Sequence, residues 1–374
     1  MKSAFWKLSS CAAAAALLAA LPAAGSARAA GYVQTNLVSD GGAGGGGVKI
    51  KAKSTDPQLQ DAWGFAYLPG GPFWICDNNT NEATIYDGAG DAFTPGTPGM
   101  PGGFIIPGGA PTGQVSNVQN GKSSSPFQVP NAPGTSGTAA ALFIFDSEAG
   151  IISAWQPGDG KNAVSMVDNS ATKAVYKGLA IGNTSTGIYL YATDFRHGVV
   201  EMYDKDFKLV KKFTDKTLPA GYAPFGISNI DGQLFVTFAK QNAQKHDDVP
   251  GPGFGYVDVF NTDGMLVQHF AANGALNAPW GVARAPVGFG DATGAILIGN
   301  FGDGWINTFA TDGSQIGSLM STKGYPVVIP GLWQISFAND EWGGALLADP
   351  TSLYFTAGPG GELDGQFGKL TPAR

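Results

Sequence analysis

The chain has 374 residues, only 14% of them charged, and a formal net charge of −7. That acidic balance, without any basic run, excludes the positive stripe that nucleic-acid binding requires. With 56 Gly and 24 Pro punctuating short apolar runs, the composition is that of an all-β chain and not of a helical one.

The first element is a leader. Lys2 and Lys7 precede an Ala/Leu-rich stretch from Cys11 to Leu21, and Ala27-Arg28-Ala29 offers a small-x-small cleavage pattern. Residues 1–29 therefore read as a signal peptide, and residues 30–374 as a single domain that is periplasmic or secreted. The apolar run is too short to span a bilayer, and no later run reads as a transmembrane segment. Only Cys76 lies beyond the leader, so no intrachain disulfide is expected. Its setting, Phe73-Trp74-Ile75-Cys76, is that of a packed strand thiol.

A β-prone run from Tyr32 to Val38 follows. The Gly41–Val48 segment precedes Lys49 but lacks the spacing and the helix of a phosphate-binding loop, so it reads as a flexible linker. Six units come next, each opening on a Gly beside a bulky residue and continuing in two β runs. Trp63-Gly64 leads to Phe73–Asp77 and Thr84–Asp87. Thr112-Gly113 leads to Leu142–Asp146 and Ile151–Trp155. Lys177-Gly178 leads to Ile188–Asp194 and Val199–Tyr203. Phe225-Gly226 leads to Leu234–Ala239 and Tyr256–Phe260. Trp280-Gly281 leads to Ala295–Asn300 and Trp305–Phe309. Gly331-Leu332-Trp333 leads to Leu353–Ala357 and Gln366–Leu370.

Successive openings are 49, 65, 48, 55 and about 50 residues apart, the length of a four-stranded blade plus loop insertions. The expected fold is an all-β, six-bladed β-propeller. Asp263-Gly264 and Asp312-Gly313 read as hairpin turns. The insertions 88–110 and 120–138, rich in Gly, Pro and Ser, read as surface loops without a core of their own. The last unit lacks a fourth strand. The N-terminal run is expected to supply it, closing the ring and covering two open edges.

Several phrases carry a resemblance. They include Trp74-Ile75-Cys76-Asp77-Asn78-Asn79-Thr80, Leu218-Pro219-Ala220-Gly221-Tyr222-Ala223-Pro224-Phe225-Gly226 and Gly299-Asn300-Phe301-Gly302-Asp303-Gly304. Over nearly the whole mature chain the sequence resembles a family of exported bacterial conserved hypothetical proteins, some of which carry a PEP-CTERM sorting tail. The resemblance implies an NHL-like propeller and brings no established activity. The end of this chain shows no sorting motif.

Chemistry in a propeller sits at a mouth of the central channel. The second strands of the units end in Asp77, Asp146, Asp194, Lys240 and Asn300. If these share one face, Asp77, Asp194 and Asn300 are candidate ligands for a divalent cation such as Ca²⁺, as gluconolactonase-like propellers hold a metal in such a position. The alternative is that each stabilises its own turn. Arg196, His197, Lys240 and His246 are candidate catalytic residues: His197 follows Asp194-Phe195-Arg196, and His246-Asp247-Asp248 sits in a long loop over 241–255. A three-histidine zinc site would need His269, whose strand lies away from the channel. The repeated Trp63, Trp280 and Trp333 read as blade packing. No nucleophile motif is present. Two functions remain open: a module binding an unidentified ligand or protein, and a metal-dependent enzyme of lactonase or lyase kind.

Overall fold

In the computed structural model, which describes residues 30–94, 97–98, 102–118, 126–131, 136–338 and 344–373, the strands form six blades of four or five strands and two further two-stranded sheets. Blades 1 to 5 each run in chain order. Blade 1 comprises Ala62–Tyr67, Phe73–Asp77, Glu82–Tyr86 and Phe104–Ile105, and blade 2 Pro111–Ser116, Phe143–Ser147, Ile151–Trp155 and Val164–Asp168. Blade 3 comprises Tyr176–Asn183, Ile188–Asp194, Val199–Tyr203 and Leu209–Phe213, and blade 4 Tyr222–Ile230, Gln233–Lys240, Tyr256–Asn261 and Leu266–Ala272. Blade 5 comprises Pro279–Arg284, Ile296–Asn300, Ile306–Phe309 and Gln315–Ser318.

Blade 6 joins both ends of the chain. Leu332–Phe337, Leu353–Ala357 and Gln366–Pro372 pair in order, and Tyr32–Ser39 adds antiparallel to the last of these, with Ser54–Thr55 beyond it. The N-terminal strand thus closes the ring as expected. Its Leu37 and Val38 are buried in the core shared with Phe65, Phe73 and Phe367. The first strand of each blade touches the first strand of the next, and blade 6 touches blade 1, so the six first strands line one axis. The leader over 1–29 lies outside the described residues.

The recurring phrase has a structural cause. In blade 1, Ala62 pairs with Asp77 and Phe65 with Ile75, so Trp63 and Gly64 together oppose the single residue Cys76. The same two-against-one bulge holds Lys177-Gly178, Phe225-Gly226, Trp280-Gly281 and Trp333-Gln334. Thr112-Gly113 sits in the matching irregularity of blade 2. Neighbouring first strands come closest at these glycines. A Cβ on Gly64 would strike the Thr112 carbonyl, and one on Gly226 the Trp280 carbonyl. The sixth counterpart is Gln334 and not Gly331. Its amide bridges to blade 1, accepting from Phe65 N at 2.6 Å and donating to Phe65 O at 2.9 Å.

Three expectations are corrected. The 88–110 insertion is not merely a surface loop: Phe104–Ile105 is the outer strand of blade 1, and buried Phe104 packs on Trp74 and Trp155. Within 120–138, Gln128–Pro130 pairs with Thr138–Ala140, and Phe127 and Val129 enter the core. Gly41–Val48 is not a loose linker. The Asp364 carboxylate accepts from Gly46 N and Val48 N, and Asp40 from Gly42 N and Gly44 N.

Candidate functional site

The bulge turns its first residue toward the axis, which puts Trp63, Thr112, Lys177, Phe225, Trp280 and Trp333 at one register around the ring. The aromatics of this set pack between neighbouring blades, as Trp63 and Trp280 each do with Trp333, and also meet across the channel. Trp63 stacks on Trp333 with ring centroids 3.5 Å apart, Trp280 meets both edge-on, and Phe225 lies 5.9 Å from Trp333. Buried Asp61, held in the left-handed region at φ 48°, accepts from the Trp63 and Trp333 indoles at 2.6 and 2.9 Å. Burial, reinforced by the Glu362 charge, raises the Asp61 pKa well above the carboxylate range despite those two bonds. The result is an aromatic plug at one end of the channel.

Lys177 is the one charged member of the ring. Its side chain is 3% exposed, and its ammonium lies 5.0 Å from the Trp63 ring centroid. It is ion-paired with Glu148, just past the second strand of blade 2, and lies 3.7 Å from Asp247 in the 241–255 loop of blade 4. Burial works against the ammonium, but Glu148, Asp247 and Glu362 outweigh it and raise the Lys177 pKa. His246 Nδ1 lies 2.6 Å from Asp247 Oδ1 and 3.9 Å from Glu148 Oε1. Burial pushes Asp247 up, yet its bond to His246 and the Lys177 charge hold it below its usual value. Asp248 is lifted to about 7 by burial, with Lys177 opposing, and its Oδ2 is shut off from solvent and unpaired.

Glu362 completes the mouth from blade 6. It follows Gly360 and Gly361, all three at φ near +70°, so a non-glycine residue holds a left-handed turn here. Such strain persists where surrounding structure enforces it, and it collects at functional sites. Burial raises the Glu362 pKa, with Lys177 opposing and Glu148 adding to it. Four blades therefore deliver Glu148, Lys177, the His246–Asp248 run and Glu362 to one mouth. The loop over 241–255 is tied down by Arg196 Nη1 donating to Gln244 O at 2.9 Å and by Gln241 Nε2 donating to Phe195 O at 2.5 Å.

The expected strand-end residues are arranged differently. Asp77, Asp194 and Asn300 share one register, each opposite the first residue of its bulged strand. Asp146 falls one residue earlier and Lys240 two later than that register, so those two are not equivalent to the others. Each of the three engages its own blade: Asp77 accepts from Thr84 N at 2.8 Å, Asp194 contacts His197 Nδ1 at 2.5 Å, and Asn300 donates to Asp303 Oδ1 at 3.1 Å. Asp146 accepts from Gly113 N at 2.6 Å, satisfying the bulge, and Thr193 and Thr237 bond to their own bulges from the same position. Lys240 lies over Phe254 at 4.1 Å. Among the described residues, Asp77 and Asp194 are in no cluster of three or more His, Cys, Asp or Glu donors, whereas Glu148, His246 and Asp247 form one.

Lys177 was visible in the sequence as the charged residue aligned with Trp63 and Trp280. Glu148 and Glu362 carried no local signal; the first is placed by the end of a strand, the second by a glycine turn. The opposite mouth of the channel opens into a cavity of about 950 Å³ that includes Gln114, Ser116, Asn229, Arg284, Gln334 and Ser336 in its lining.

Fold and mouth together define a six-bladed β-propeller with a plugged, acid-rich channel end. Among solved structures, a candidate gluconolactonase shares the fold at TM-score 0.50 and 15% identity, covering 84% of this chain and 89% of that one. The chain belongs to the family of two proteins of Acanthamoeba polyphaga mimivirus, Uncharacterized protein R648 and Uncharacterized protein L690. Each is 30% identical; R648 matches over 336 residues, 86% of this chain and 77% of its own length, and L690 over 331 residues, 86% and 82%. No family model matches the chain. Among the described residues, no helix is long and apolar enough to cross a membrane.

Proposed function

We propose that the plugged mouth is an active site for acid–base cleavage of a small polar substrate, of the lactonase or lyase kind. The observation that carries this reading is the convergence of Glu148, Lys177, His246, Asp247, Asp248 and Glu362 from four blades. Asp248, with a pKa of about 7, is placed to give and take a proton at neutral pH. The His246–Asp247 pair is a second proton carrier, and Lys177 fixes a positive charge beneath them. The aromatic plug keeps bulk water from entering along the axis.

Glu148, His246 and Asp247 offer three donor atoms within 4.8 Å of one another, a set that fits a divalent cation. Bound there, a cation would polarise a substrate carbonyl. We also infer that residues 1–29 are an export leader and that the propeller over 30–374 works as one domain in the periplasm or outside the cell. Support for this is the leader pattern and the family resemblance. Edman sequencing of the exported protein tests it, and an intact Met1 would reject it.

The test of the site is proton release from a panel of γ- and δ-lactones, with and without chelator. Asp248→Asn and His246→Gln should each lose about 100-fold in rate. Full activity in both variants would overturn the site. The second reading, a binding module, is favoured by the 950 Å³ cavity at the other mouth, which is large enough for a drug-sized molecule. It predicts ligand-dependent melting shifts that Gln114→Leu abolishes and Asp248→Asn leaves intact.

A further inference from the structure

A second cluster lies far from the axis, on the outer half of blade 4. His269 on the outer strand pairs across from Asp258 on the third strand, where a one-residue bulge at Phe270 interrupts the ladder. Asp215, in the connection from blade 3, joins them. His269 Nδ1 stands 3.1 Å from Asp258 Oδ1 and 3.3 Å from Asp215 Oδ2. Thr217 fixes Asp215, donating to its Oδ1 from both N and Oγ1 at 2.8 Å. Both carboxylates are 2% exposed, whereas the imidazole is 59% exposed. Asp258 Oδ2 is buried and has no hydrogen-bond partner.

The neighbouring blades show what is unusual here. At the corresponding cross-strand position of blade 3, Glu201 meets Lys212 at 2.6 Å and accepts from Tyr176 and Tyr203, so one carboxylate is matched by one ammonium and two hydroxyls. In blade 5 the pair is neutral, with Ser318 donating to Asn307 at 2.8 Å. Blade 4 instead buries two carboxylates against a single imidazole. Even a charged His269 leaves one negative charge unmatched, and a buried unmatched charge is costly.

We propose that Asp215, Asp258 and His269 form a binding site for a zinc-class divalent cation on the rim of blade 4. Donors around tetrahedral zinc at about 2.0 Å lie about 3.3 Å from one another, close to both measured His269–carboxylate separations. All three donor atoms lie within 4.8 Å of one another. One nitrogen and two oxygens suit zinc better than calcium, which takes six to eight oxygens. The exposed imidazole gives the ion a path from solvent and leaves room for a water as fourth ligand. This site shares no residue with the channel mouth.

The test is calorimetric titration of zinc chloride into chelator-stripped full-length protein at pH 7.5. Wild type should bind zinc, and His269→Gln should remove one equivalent or weaken it by at least about tenfold. His246→Gln, which alters the mouth instead, should leave that equivalent in place. His269 is mostly exposed, so its variant should melt as wild type does without metal; Asp258→Asn provides a second arm. No zinc uptake by wild type would overturn the site. So would an unchanged titration in His269→Gln.

Discussion

Lys177→Met isolates the electrostatics of the mouth. The methionine keeps most of the stem that packs beside Trp63 but removes the ammonium. Glu148, whose side chain is 15% exposed, then faces Asp247 and Glu362 without its partner. Asp247 is 58% exposed, and solvent screens most of its share. The cost therefore falls on the Lys177–Glu148 pair, and removing one partner of a buried pair costs about 3–5 kcal/mol. Urea unfolding at pH 7.5 measures it. As pH falls, the stranded carboxylates take up protons, and the deficit should shrink by up to about 1.4 kcal/mol per unit for each group titrating. Adding Glu148→Gln to Lys177→Met should recover much of the loss, because the uncompensated charge goes too. A loss under about 1 kcal/mol at pH 7.5, with no recovery in the double variant, would refute a buried charge pair at the axis.

Gly226→Ala should cost about 3 kcal/mol in urea unfolding, since its Cβ meets the Trp280 backbone of the next blade. Gly198→Ala, at φ 70° with open space around it, should cost only about 1 kcal/mol; equal losses would reject the close approach of first strands. Asp146 is fully buried, and burial raises it from 3.8 to about 7 against the bonds from Thr112 and Gly113. The fold thus favours its protonated form. Its stabilisation is complete below about pH 4 and is lost as pH rises through about 7, amounting to about 4 kcal/mol. Asp146→Asn should flatten that part of the stability profile, and an unaltered profile would reject the raised pKa. Deleting 31–39 removes buried Leu37 and Val38 and bares the edge of Gln366–Pro372, so the melting temperature should drop by about 10 °C or more. An unchanged melt would show that the ring closes without this strand.

The architecture was legible because each blade is a local unit. Its strands pair with their chain neighbours, and alternation with turn residues is written within about 50 residues. The closing strand was legible too, as the β-prone run at Tyr32 to Val38 that pairs with Gln366–Pro372. Phe104 and Phe127 were harder to see: they stand alone in Gly- and Pro-rich surroundings and gain meaning only from Trp74, Trp155 and Phe207 beside them. Asp146 and Lys240 were set level with Asp77 because they close similar runs; register is decided by the bulge, which shifts pairing by a residue at a time.

The sequence by itself determined six blades, their order and the recurrence of a bulky residue before glycine. A ring's closure decided what that residue does. Groups 103 residues apart meet, as where the Trp280 indole donates to the Lys177 carbonyl, only because six equal bulges aim at one axis. The acid-rich mouth has the same origin. Glu148, Asp247 and Glu362 belong to three different loops, and what joins them is the low-dielectric space above a buried lysine, a property of the assembled ring and of no segment within it.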